Sequence, residues 1–142
     1  MVSYTCDQRH DQVVIDFIGA YNEEGEAMLK NMGPNTWDPW KLVSFDKSGD
    51  HIVKIKTIKR SCSLSDGQYS IEIGPSPGNT NVQGECGANM GAWAKVIRGT
   101  KELVYKEMGA CRMNEEVVKR IVVRAGNVKP SITIVKWGDF YK

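Results

Sequence analysis

The sequence predicts an all-β protein, an antiparallel β-sandwich or barrel of about eight to ten strands, formed by residues 1–142 as a single domain. Three observations carry this expectation. Apolar and polar residues alternate over much of the chain, which is the period of a half-buried strand. Clusters of Gly, Pro, Asn and Asp interrupt those runs at short intervals. One stretch of the chain also resembles another 56 residues later, so two pseudo-repeated four-stranded meanders are expected at residues 2–56 and 58–110, followed by a C-terminal hairpin at 117–138.

The elements follow in order. Val2, Tyr4 and Cys6 alternate up to the polar turn Gln8-Arg9-His10-Asp11, and Val13, Ile15 and Phe17 alternate back, which predicts a hairpin. Trp40 to Phe45 and His51 to Leu64 flank the turn cluster Asp46-Lys47-Ser48-Gly49-Asp50. Along the second of these runs Val53 and Ile55 are odd-numbered, whereas Ile58, Cys62 and Leu64 are even. A switch of parity near Thr57 predicts a bulge, or a strand that passes from one sheet to another.

Ser65-Asp66-Gly67-Gln68 reads as a type I′ turn centred on Asp66-Gly67. Such a turn sets Leu64 opposite Tyr69 and Cys62 opposite Ile71, with Tyr69, Ile71 and Ile73 on one face. A long irregular segment runs from Gly74 to Asn81. Trp93 to Ile97 and Glu102 to Met108 form a further hairpin, with Gly99 suited to a type II′ turn. Asn114-Glu115-Glu116 can cap one short helical turn. Lys119 to Ala125 and Ser131 to Trp137 bracket Gly126 to Pro130; the spacing of Val117, Val118, Ile121 and Val122 also fits a helix, but the β-branched content favours a strand.

The repeat is read from Cys6 matching Cys62, Gln12 matching Gln68, and Ile15-Asp16-Phe17 matching Ile71-Glu72-Ile73 without a gap. Further on, Asn31-Met32-Gly33 precedes Trp40 as Asn89-Met90-Gly91 precedes Trp93, a match that needs small gaps and makes each tryptophan open a strand. Neither unit can bury an apolar face alone, so the two are expected to pack together, with the C-terminal strands adding to or capping them.

Four cysteines without a C-x-x-C pair, beside only two histidines, do not form a zinc or thioredoxin motif. Their even number predicts two disulfides and an oxidising compartment, periplasmic or secreted; four reduced cysteines in a cytosolic protein are the alternative. The hairpin at Gly99-Thr100 brings Cys86 and Cys111 together at its open end, and by elimination Cys6 pairs with Cys62. Met1 to Tyr4 leads directly into strand-like sequence, which is expected of a cytosolic protein or of the mature region of an exported one, and the cysteines favour the second.

Net charge is +2 with both signs interspersed, which argues against a nucleic-acid partner. The basic run Lys54, Lys56, Lys59, Arg60 mostly follows strand alternation and reads as a solvated face. No apolar stretch is long enough to span a membrane as a helix. No cofactor motif, metal site or catalytic residue is assigned. Asp7, His10 and Asp11, and Asp46, Asp50 and His51, fall where turns already require polar residues. Binding is the expected activity. Trp37 and Trp40 lie in a proline-restrained loop from Gly33 and offer flat apolar faces, although burial of Trp40 is favoured. Pro75, Pro77, Asn79 and Asn81 belong to a second long loop of the kind that carries recognition.

The run from Ser61 to Tyr69, continuing through Gly74-Pro75-Ser76-Pro77-Gly78-Asn79 to Cys86-Gly87-Ala88 and Ala92-Trp93, resembles small exported bacterial β-domain proteins of unassigned function, over residues 61–97. That resemblance implies a periplasmic or secreted setting. Ser65-Asp66-Gly67-Gln68-Tyr69 is also similar to the Ser-Gly-x-x-Tyr of one branch of periplasmic lysozyme inhibitors, but with different spacing. The expected function is therefore an extracytoplasmic binding protein, such as an inhibitor or immunity protein, whose partner is another protein or a cell-wall glycan. The alternatives are a glycan-acting hydrolase using carboxylates distant in sequence and a structural subunit of an envelope assembly.

Overall fold

The computed structural model describes residues 1–18, 34–49, 51–76, 91–109, 117–126 and 129–136. The first hairpin is β1 (Val2–Asp7) and β2 (Gln12–Ile18), joined by a short 3-10 turn at Gln8–His10. Asp11 closes that turn in the left-handed region at φ 54°, a conformation that Asp tolerates better than most residues. After β3 (Thr36–Trp37), a 3-10 turn at Pro39–Leu42 leads into β4 (Val43–Phe45) and β5 (Ile52–Ile55). Then come β6 (Ile58–Leu64), β7 (Gly67–Ser76), β8 (Gly91–Arg98), β9 (Lys101–Met108), β10 (Val117–Arg124) and β11 (Ser131–Lys136).

The protein is all-β and antiparallel, as expected. One sheet has the order β11-β10-β2-β1-β3, a second is the meander β6-β7-β8-β9, and β4 and β5 form a separate ribbon. Alternate residues of the two larger sheets meet in one core. Val13, Ile15, Phe17, Ile121 and Val123 come from the first, and Tyr69, Ile71, Ile73, Ala94 and Val96 from the second. The parity switch near Thr57 marks a change of sheet: β5 pairs with β4, whereas β6 pairs with β7.

Cys6 and Cys62 are disulfide-bonded with Cα atoms 5.6 Å apart, so the two large sheets converge at the edge where β1 meets β6. The same corner is hydrogen-bonded. Tyr4 Oη donates to the Ser61 carbonyl at 3.2 Å, Gln8 Nε2 to the Ser63 carbonyl at 3.0 Å, and the Ser65 amide to Asp11 Oδ1 at 2.9 Å. Cys86 and Cys111 lie outside the described residues.

Three local expectations are corrected. First, the β6–β7 loop is Ser65-Asp66, with Leu64 opposite Gly67 and Cys62 opposite Tyr69. Asp66 does not take the positive φ that a type I′ turn requires. Long-range contacts hold the turn instead. The Asp11 carboxylate takes the Ser65 amide and hydroxyl. Asp66 accepts from Tyr69 Oη at 2.9 Å, Arg98 Nη1 at 3.0 Å and the Gly126 amide at 3.0 Å. The face formed by Tyr69, Ile71 and Ile73 survives, because a two-residue shift preserves alternation.

Second, the first unit is not a four-stranded meander in one sheet. Beside β2 lies β10, not the β4–β5 ribbon. β10 supplies buried Ile121 and Val123 on the core side, and Arg120 reaches buried Asp16 with contacts of 2.8 and 3.1 Å. The C-terminal hairpin thus completes the first sheet instead of capping the molecule. Third, Trp40 opens no strand. Asp38 caps a 3-10 turn by accepting the Trp40 amide at 3.0 Å, with Pro39 restricting its first position.

The Asp66 junction ties the β6–β7 turn to β8 and to the β10–β11 turn, and it makes stability depend on pH. The Gly126 amide, reinforced by Tyr69 and Arg98, holds the Asp66 carboxyl below the usual carboxylate range. A depressed folded-state value contributes stability above the unfolded value of about 3.9, and that contribution is lost as pH falls through the folded value. Asp66→Asn is expected to flatten this acid-side loss. Urea midpoints between neutral pH and the acid range, compared with the native chain, check the result.

Candidate functional site

The outward face of the β6–β9 sheet gathers the chemically varied side chains. Register places Lys59 opposite Glu72, Glu72 opposite Lys95, and Lys95 opposite Tyr105, one residue from each strand in a single row. The charges alternate. Lys59 Nζ and Lys95 Nζ each lie 3.7 Å from a Glu72 oxygen, and Lys95 Nζ lies 3.7 Å from Glu102. Pairs at such distances on a wet surface contribute at most about 1 kcal/mol each, so stability alone gives little reason for the row.

Beside it lies an open groove of about 520 Å³, lined by residues that include Lys59, Arg60, Ser70, Glu72 and Ile97. Two serines, both signs of charge and the aliphatic residues Ile71 and Ile97 therefore line one groove. Arg60 also lies over the Trp37 ring, 5.2 Å from its centre. That places Trp37 behind the groove, where it is half-buried against the core and pairs with Val2 at the edge of β1.

Next to the ionic row, Trp93 sits opposite Gly74. A Cβ on Gly74 would meet the indole at 2.6 Å, so the glycine is the floor on which the ring rests. Tyr105 lies nearly parallel to Trp93, with ring centres 5.9 Å apart and planes at 26°, and is 46% exposed. Ser76 Oγ donates to Glu107 at 3.3 Å at the far side of this pair. Gly74→Ala is expected to displace the Trp93 ring, shift tryptophan emission and cost about 1 kcal/mol, since a side chain rather than backbone gives way. The same change in a Trp93→Ala background is expected to cost nothing further, which a double-mutant cycle in urea measures.

The sequence-based site residues are not brought together here. Trp37 adjoins the groove only through Arg60. Trp40 is half-buried and packs on Phe45 at 5.8 Å, near the β4–β5 ribbon. Pro75 is not a loop residue: it is buried in β7 opposite Ala92. β6 begins at Ile58 opposite Ile73, so Pro75 occupies a part of β7 with β8 on one side and no β6 partner on the other. Its missing N–H is tolerated there. Pro77, Asn79 and Asn81 lie outside the described residues. The sequence reading missed Trp93, Tyr105 and the ionic row. A glycine facing an aromatic across a ladder was the available signal, hidden because Gly-Pro-Ser-Pro reads as a loop.

Among the described residues no group of three His, Cys, Asp or Glu side chains is placed to hold a metal ion, and no helix is long and apolar enough to cross a membrane. Comparison with family models, curated proteins and solved structures finds no match.

Proposed function

We propose that this chain is an extracytoplasmic, disulfide-braced binding protein that engages a cell-wall glycan or another protein through the outer face of β6–β9. The observation that carries this reading is the row Lys59, Glu72, Lys95, Glu102, which adjoins Trp93 and Tyr105 and whose Lys59 and Glu72 also line an open groove. Aromatic faces supply apolar contact, and the adjoining charges and hydroxyls set orientation. The Cys6–Cys62 bridge supports an oxidising compartment. The position of the face on paired strands supports a preorganised surface.

Calorimetric titration with cell-wall oligosaccharides, and capture from periplasmic extract, tests the reading. Binding that is lost in Tyr105→Ala and Lys95→Ala variants supports it. Binding that is unchanged in both, or absent for every glycan and protein, sinks it.

A second reading rests on Glu72 and Glu102. These carboxylates come from different strands and flank one ammonium group, Lys95 Nζ, at 3.7 Å each. A glycan-acting hydrolase requires two such carboxylates on opposite sides of a bond. Turnover of a glycan that disappears in Glu72→Gln would favour this reading over binding alone.

A further inference from the structure

We propose that the β4–β5 ribbon docks onto an anionic lipid bilayer, through aliphatic and aromatic side chains that enter the interface and lysines that meet the headgroups. The ribbon is set apart from both large sheets, as β4 and β5 pair only with each other among the described strands. An isolated two-stranded ribbon is marginal in water, yet this one exposes large apolar residues: Val53 at 64%, Ile55 at 50% and Phe45 at 37%.

Charge identifies the occupant. Between residues 40 and 60 there are six cations, Lys41, Lys47, Lys54, Lys56, Lys59 and Arg60, against two acids, Asp46 and Asp50. This segment is therefore +4 in a chain of net charge +2, and the remainder is −2. Lys59 pairs with Glu72 and Arg60 covers Trp37. Lys41, Lys47, Lys54 and Lys56 are exposed and form no ion pair among the described residues. Asp46 at the ribbon's turn accepts from Ser48 Oγ at 2.8 Å and contacts His51 Nδ1 at 3.0 Å.

A polyanionic glycan or a nucleic acid would use the lysines and leave the apolar residues wet. Val53 and Ile55 alternate with Lys54 and Lys56 along and just beyond β5, so apolar and basic side chains are exposed together. A bilayer interface offers both an acyl boundary and anionic headgroups to such a mixture. Interleaved lysines can keep their ammonium groups among the headgroups while their stems lie along the acyl boundary.

The ribbon lies outside the proposed glycan or protein face, so the two ideas fail separately. The test is co-sedimentation of the oxidised, full-length chain with phosphatidylcholine vesicles, with and without about one third phosphatidylglycerol. Binding is expected to the anionic vesicles, much weaker to the neutral ones, and reduced by raised salt. Each lysine near the surface contributes about fivefold, so Lys54→Gln/Lys56→Gln is expected to weaken binding about 25-fold. Val53→Ser/Ile55→Ser is expected to weaken it at constant charge. All four positions are exposed, and circular dichroism of each variant verifies the fold. No binding to anionic vesicles at low salt overturns the proposal. So does equal binding to neutral vesicles, retention of binding by the lysine variant, or binding to soluble heparin that is unaffected by Val53→Ser/Ile55→Ser.

Discussion

Replacing Cys6 and Cys62 together with alanine is expected to cost about 4 kcal/mol and to lower the melting temperature by about 10–15 °C. The bridge closes a loop of 56 residues' separation. Loop-closure entropy therefore makes it a large constraint on the unfolded chain. It also joins the two sheets at the corner where Tyr4, Gln8 and Asp11 reach across to residues 61–65. Those hydrogen bonds are partly exposed and individually contribute about 1 kcal/mol, so they cannot substitute for the bond. The double substitution is preferable to adding reductant, which acts on every cysteine of the chain. Urea denaturation followed by circular dichroism measures the loss. A change below about 1 kcal/mol would mean that core packing alone holds the sheets together.

A second large effect is expected in β10. Ile121 is buried opposite Ile15 of β2, at the centre of the first sheet. Ile121→Ala removes its contacts on the core side and leaves a cavity between two ordered sheets, at a cost of about 3 kcal/mol. Ile134, two residues along β11 from the direct partner of Ile121, is 68% exposed. Ile134→Ala is expected to change stability by less than about 0.5 kcal/mol. Comparable losses in both variants would contradict the placement of β10 between β2 and β11. Denaturant midpoints at constant slope provide the comparison.

Much of the strand layout was legible because alternation is a local consequence of strand geometry. Val2-Tyr4-Cys6 and Val13-Ile15-Phe17 required only that one face be buried, and both faces lie where the pattern put them. The change of sheet at Thr57 was legible for the same reason, since parity cannot switch within one regular strand. The register of β6–β7 is more instructive. Turn chemistry at Asp-Gly suggested the wrong pairing, whereas the sequence offset contained the observed one. Cys6 opposite Val13 recurs as Cys62 opposite Tyr69, and Val2 opposite Phe17 recurs as Ile58 opposite Ile73, each 56 residues on. Turn propensity is worth little when Asp11, Arg98 and Gly126 reach the turn from elsewhere.

The site was less legible. Trp37 and Trp40 drew notice as aromatics in a Pro-rich loop, but the arrangement on β6–β9 depends on which residues become cross-strand neighbours. Lys59, Glu72, Lys95 and Tyr105 are widely separated in the chain, and nothing local marks them as a row. Pairing register alone brings them together.

By itself, the sequence determined an antiparallel all-β protein and the core-facing side of its main strands, and it pointed to Cys6–Cys62 by elimination. Each follows from side-chain period, turn composition or spacing along the chain, and a residue carries that information wherever its strand is finally placed. Only the tertiary structure decided that β10, not the β4–β5 ribbon, lies beside β2. The burial of Ile121 and Val123 and the Arg120 contact with Asp16 favour that neighbour. The same competition among strands left the ribbon exposed and assembled the outward face of β6–β9. Strand partners are chosen by the sum of packing and pairing over distant segments, a quantity that no local pattern contains.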